Sequence, residues 1–127
     1  MDGTLTRKIV IALALIAFTG GAAQAAGDAA NGKTLFVRCA ICHKTVKDGG
    51  NGLGPNLFGV GGRKAGTVAG FAYSDAMKNS GIVWTEDKLE AYIGDPKAVV
   101  PGNRMAFAGL SNHQQAGDVA AYLMTLK

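Results

Sequence analysis

The sequence predicts an all-α domain in which three main helices are joined by long loops wrapped around a bound group. Three stretches place apolar residues at helical spacing behind capping residues, and there is little strand signal anywhere. Two glycine-rich stretches, 44–70 and 99–110, are longer than simple connections, which a compact domain tolerates when they enclose something or carry function.

Taken in order, the chain of 127 residues begins with an address rather than a fold. Arg7 and Lys8 precede the apolar run IVIALALIAF, and Ala23-Gln24-Ala25 forms an A-x-A-like cleavage site. Residues 1–26 are therefore read as a secretory signal peptide and residues 27–127 as one domain. The rival reading is an uncleaved membrane anchor, although the apolar run is short of the roughly 20 residues a spanning helix needs. Without the leader, eleven Lys and Arg face eight Asp and Glu, a mildly basic balance. No basic run interleaves with aromatics, so nucleic-acid binding has little support.

The first helix is expected over 28–38, capped by Asp28 or Asn31, with Gly32 and Phe36 on one face. A short helix is expected over 74–79. Thr85 then caps a helix with Glu86 and Asp87 in its first turn and Leu89, Tyr92 and Ile93 on its apolar face, ended by Gly94 and Pro96. The last helix is expected to open on a capping box, Ser111 with Gln114, and to run through Ala116, Val119, Ala120, Leu123 and Met124.

The stretch GDAANGKTLFVRCAICH satisfies two functional patterns. GDAANGKT fits the phosphate-loop template, but no strand or following βα alternation supports it, so Gly27, Gly32, Lys33 and Thr34 read as a helix start. CAICH fits c-type haem attachment: Cys39 and Cys42 are spaced to reach two vinyl groups, and His43 places an imidazole on the iron. A thioredoxin-like disulfide lacks its βαβ context, a disulfide across so small a loop adds little stability, and zinc lacks a second ligand pair. For the second axial ligand the candidates are Met77, Met105, Met124 and His113. Met124 belongs to an apolar helix face and His113 to an exposed first turn, whereas Met105 lies in the loop PGNRMAFAGL, where Pro101 and Gly102 bring backbone close to a flat group. Met105 is favoured.

From Gly27 to Leu126 the chain resembles a class I cytochrome c of the mitochondrial and bacterial soluble electron-carrier type. The resemblance rests on the attachment stretch and on GPNLFGVGGRKAG, GFAYSDAMKNSGIVW, LEAYIGDPK, PGNRMAFAGL and the terminal AYL, all in order. It implies one covalently attached haem c, thioether bonds to Cys39 and Cys42, and iron ligation by His43 and Met105. The Pro55 carbonyl would accept the other ring N–H of His43. Tyr73 and Trp84 would donate to a propionate, with Arg63 supplying charge there; Tyr92 would lie near the methionine sulfur and Phe107 would shield the haem edge. Gly32 and Phe36 would meet the last helix near Tyr122. Met77 and Asn103 depart from mitochondrial members, which have an asparagine and a threonine at those positions.

The resemblance further implies one-electron transfer without chemistry on a substrate. Arg38, Lys97 and Arg104 would surround the haem edge and meet acidic patches on redox complexes: a cytochrome bc complex as donor, a terminal oxidase or photosynthetic reaction centre as acceptor. The expected state is a periplasmic monomer with no stable membrane insertion after cleavage. If Met105 left the iron, the open position would allow a sensor or peroxidase-like role instead.

Overall fold

The computed structural model describes residues 27–127, and the signal-peptide reading of 1–26 lies outside them. Its helices are α1 (Ala29–Leu35), α2 (Asp75–Lys78), α3 (Glu86–Gly94), α4 (Pro96–Val99) and α5 (His113–Met124), with a 3-10 turn at Phe36–Arg38 continuing α1. Among the described residues the only β pairing is the isolated antiparallel bridge between Lys64 and Val83. None of these helices is long and apolar enough to cross a membrane.

Local chemistry accounts for the helix starts. The Asp28 carboxylate accepts from the N–H groups of Ala30 and Asn31, the Ser74 hydroxyl from Met77 and the Thr85 hydroxyl from Lys88, each satisfying donors that a first turn leaves unpaired. Two expectations need correction. The cap of α5 is Asn112, whose side chain accepts from the Gln115 N–H, and Ser111 stands one residue outside. Moreover, Pro96 does not simply end the preceding helix. It occupies the first turn of α4, where a missing N–H costs nothing, while Asp95 caps the new start by accepting from Ala98.

The frame is set by α5, against which α1 and α3 both pack. Ala116, Val119, Ala120 and Leu123 are buried along it and join Phe36, Leu89, Tyr92 and Ile93 in one core. Phe36 meets Tyr122 with ring centroids 5.3 Å apart, as expected. Gly32 sits directly on the Asp118 carbonyl, so α1 crosses α5 at backbone contact. The phosphate-loop pattern is thereby excluded: the Gly32 N–H donates to the Asp28 carbonyl at 2.8 Å, and the Ala30 and Asn31 N–H groups serve the Asp28 cap.

Candidate haem-binding site

Around Cys39 the chain keeps coiling beyond the 3-10 turn. The Ala40 N–H donates to Phe36 and the His43 N–H to Cys39, both four residues back. This puts Cys39, Cys42 and His43 on one side of the turn, as residues three and four apart share a helical face. Both thiols are free and half-buried. Burial pushes the Cys39 thiol up, partly opposed by the Arg38 charge.

The His43 ring is held from two directions. Its Nδ1 lies 2.7 Å from the Pro55 carbonyl oxygen, which can only accept, so Nδ1 carries the proton and Nε2 is the free nitrogen. Burial lowers the imidazole pKa below its ordinary range and so favours the neutral ring with a lone pair, the Pro55 bond opposing in part. Gly54 lies flat against the ring: a Cβ there would stand 2.8 Å from Nδ1 and 2.9 Å from Nε2. The family resemblance implies the Pro55 contact but not Gly54, whose lack of a side chain is as necessary to the ring's position. Supporting bonds continue outward. The Asn56 N–H donates to the Asn51 side chain at 2.9 Å, and the Asn56 amide group donates to Val46 and Gly50.

Met105 and Phe107 are half-buried and pack, with Cys39 and Tyr73, against the cluster containing Met77, Trp84 and Tyr92. The Met105 loop is organised by Asn103, whose side-chain oxygen accepts from the Met105 N–H at 2.9 Å while its amide donates to Pro96 and Val100. Arg104 is exposed, yet its guanidinium donates to the Ala72 carbonyl at 3.1 Å and ties this loop to the one before α2. From the sequence, Asn103 stands out only as a departure from mitochondrial members. Its service to the Met105 backbone is a tertiary fact that no spacing rule reveals.

The aromatic and basic candidates meet on the other loop. The Trp84 backbone N–H donates to the Arg63 carbonyl, and the Arg63 guanidinium donates to the Phe58 and Asn56 carbonyls at 3.0 and 3.1 Å. The Tyr73 hydroxyl accepts from the Val68 N–H, which leaves its own proton to donate elsewhere. Trp84 is buried against Tyr92 with centroids 5.0 Å apart. Desolvation pushes the Tyr92 phenol up to about 12, so it stays protonated and can donate at neutral pH. Lys97 and Arg38 are exposed. Among the described residues no three His, Cys, Asp or Glu side chains come together as a metal set, which leaves the zinc reading without ligands.

The paired thiols, an imidazole with Nε2 free and the packed thioether therefore fit one haem c. Residues 29–127 match the family model described as cytochrome c. The chain belongs to the cytochrome c family. It is 48% identical to a cytochrome c2 of Blastochloris viridis over 92% of this chain and 91% of that protein. It is 49% identical to a cytochrome c of Gibberella zeae over 79% of this chain and 95% of that one. Among solved structures, cytochrome cH from Methylobacterium extorquens superposes with a TM-score of 0.73 at 45% identity, covering 78% of this chain and 99% of that one. As a cytochrome c the protein is an electron-transfer carrier rather than an enzyme, carries one covalently attached haem c and works with redox partners.

Proposed function

We propose that this cytochrome c exchanges single electrons through a haem held by thioethers to Cys39 and Cys42 and ligated by His43 and Met105. The observation that carries this reading is the 2.7 Å bond between His43 Nδ1 and the Pro55 carbonyl, because it presents Nε2 as ligand and raises its basicity. Bound there, the haem supplies a one-electron iron couple. The Met105 thioether is soft and uncharged and raises the potential relative to harder ligands, and the Asn103 bonds hold the loop that presents it. With His43 and Met105 both holding the iron, the chain would leave no ligand place on it for a substrate. Tyr73, Trp84 and Arg63 would donate to the propionates, Tyr92 would donate toward the sulfur, and Phe107 would cover the edge.

Residues 1–26 act in this reading as an export signal, cleaved to release residues 27–127 into the periplasm. The Blastochloris viridis match spans more of the chain than residues 27–127 contain, which supports a leader shared with that relative. The donor would be a cytochrome bc complex and the acceptor a terminal oxidase or photosynthetic reaction centre, met by a monomer. Arg38, Lys97 and Arg104 would attract their acidic faces. Of these, Lys97 gives the cleaner test, since Arg104 also holds the Ala72 carbonyl. Lys97→Glu should slow association with such a complex several-fold at low salt, an effect screened away by about 0.3 M. An equal rate at low salt would remove Lys97 from the docking face.

The ligand set is tested by absorption spectra of oxidised and reduced holoprotein. A c-type reduced spectrum and the weak long-wavelength band of methionine–ferric iron ligation are both expected. Met105→Ala should abolish that band and lower the potential by on the order of 0.1 V or more. A haem spectrum in which Met105→Ala leaves the band intact would assign the sixth position to another residue.

A further inference from the structure

The segment that carries Met105 is held unevenly along its length. Before it, Asp95 caps α4 by accepting from the Ala98 N–H at 3.1 Å, and the Val99 and Val100 N–H groups donate to the Asp95 and Pro96 carbonyls. Pro96 and Val100 are buried, so this block cannot shift without opening the packed core around them. After it, firm contact resumes where Gly109 passes against the Gly94 carbonyl and the Leu110 N–H donates to Ile93 at 2.9 Å. From Arg104 to Ala108, among the described residues, the one bond from backbone to backbone is internal, the Phe107 N–H to the Met105 carbonyl. The side-chain tie from this stretch to another loop is the exposed one from Arg104 to the Ala72 carbonyl.

Asn103 joins the fixed block to the loose stretch. Its side-chain oxygen accepts from the Met105 N–H two residues on, the geometry of an Asx-turn. Its amide nitrogen donates to the Pro96 carbonyl at 3.0 Å and to the Val100 carbonyl at 2.9 Å, and its backbone N–H also donates to Val100. Because α4 is a single turn, its carbonyls need partners beyond the helix, and this amide supplies one. The backbone of Met105 is thereby tied through one side chain to two residues anchored in the core. A threonine, as mitochondrial members have here, carries one hydroxyl hydrogen and a shorter reach, so it cannot make the same set of bonds.

We infer that Asn103 is a positioning residue for the axial thioether: its amide sets how long Met105 stays on the iron, and so how fast a small neutral base can take that place. The inference rests on the ligand reading of His43 and Met105 and adds what controls exchange at the second of them. Asn103 acts through the Met105 N–H. The motion it resists is local opening of 104–108, which needs no unfolding of the frame built on α5.

The test uses ferric holoprotein and imidazole, with loss of the long-wavelength methionine–iron band followed in time. At saturating imidazole the observed rate levels off at the rate with which Met105 leaves. Asn103→Ala should raise that plateau about tenfold or more, the effect of losing two or three ordinary hydrogen bonds. Asn103→Ser keeps an acceptor for the Met105 N–H but gives up the donors to α4, and should fall between Asn103→Ala and the parent. Asp118→Ala serves as the control, because it weakens the α1–α5 crossing and touches nothing in the Met105 loop: it should unfold earlier yet keep the parent plateau. Parent-like plateaus in both Asn103 variants would overturn the inference. So would an Asp118→Ala plateau raised as far as that of Asn103→Ala, since exchange would then follow overall stability. A parent protein without the long-wavelength band would overturn the Met105 ligand reading first, and this inference with it.

Discussion

Gly32→Ala is expected to destabilise the holoprotein by about 2–4 kcal/mol and to lower its unfolding midpoint by about 10–20 °C. Helix propensity alone predicts the opposite sign, since alanine within a helix is favoured over glycine by about 1 kcal/mol. The difference comes from what the new Cβ would meet. At Gly32 it would fall on the carbonyl oxygen and carbon of Asp118, closer than a carbon atom can approach either. Those atoms are α5 backbone and cannot rotate aside, so α1 must lift off. The Phe36–Tyr122 contact would loosen with it, and Phe36 leads straight into the attachment turn. Thermal unfolding followed by circular dichroism checks the sign, and an unchanged or raised midpoint would show that the crossing is slack.

Asp118→Ala should cost about 3 kcal/mol, because Asp118 is a buried carboxylate serving three donors, two of them across the same crossing. Its oxygens accept from the Asp28 N–H at 2.7 Å, the Asn31 amide at 2.6 Å and the Gln114 amide at 2.9 Å. Removing the carboxylate strands the Asp28 N–H and the Asn31 amide at the start of α1. The Asn31 and Asp28 bonds hold its pKa below the usual carboxylate range, burial opposing and Gln114 adding to the depression. A depressed folded pKa means that this stabilisation is complete above the ordinary aspartate pKa and is lost as pH falls through the lower folded value. Urea midpoints of parent and Asp118→Asn, followed from about pH 7 to about pH 3, should therefore converge on acidification. Curves that stay parallel across that range would show that Asp118 does not titrate with folding.

Both effects concern a residue pair that no local pattern joins. Gly32 was legible as a helix residue sharing a face with Phe36, and Asp118 as one position in the last helix. That the Asp118 carboxylate would turn back to the cap of α1 required the two helices to be docked. The boundary errors have a similar origin. Ser111 and Asn112 are both competent caps, and which one serves depends on how the preceding loop delivers the chain. Pro96 is both a stop for α3 and a start for α4, and Asp95 decides for a new helix by capping it.

Chemistry written in adjacent residues was legible in the chain directly: two thiols three apart with an imidazole beside the second, helix caps beside apolar periodicity, and a loop methionine among turn-formers. These depend on short-range geometry, which the covalent chain sets almost alone. What distant residues do for one another came only with the folded chain: Pro55 and Gly54 fixing the His43 ring, Asn103 holding the Met105 backbone, and Asp118 joining α1 to α5. Each is a contact between segments whose separation is closed only when the core around α5 is buried, so the physical cause is long-range packing.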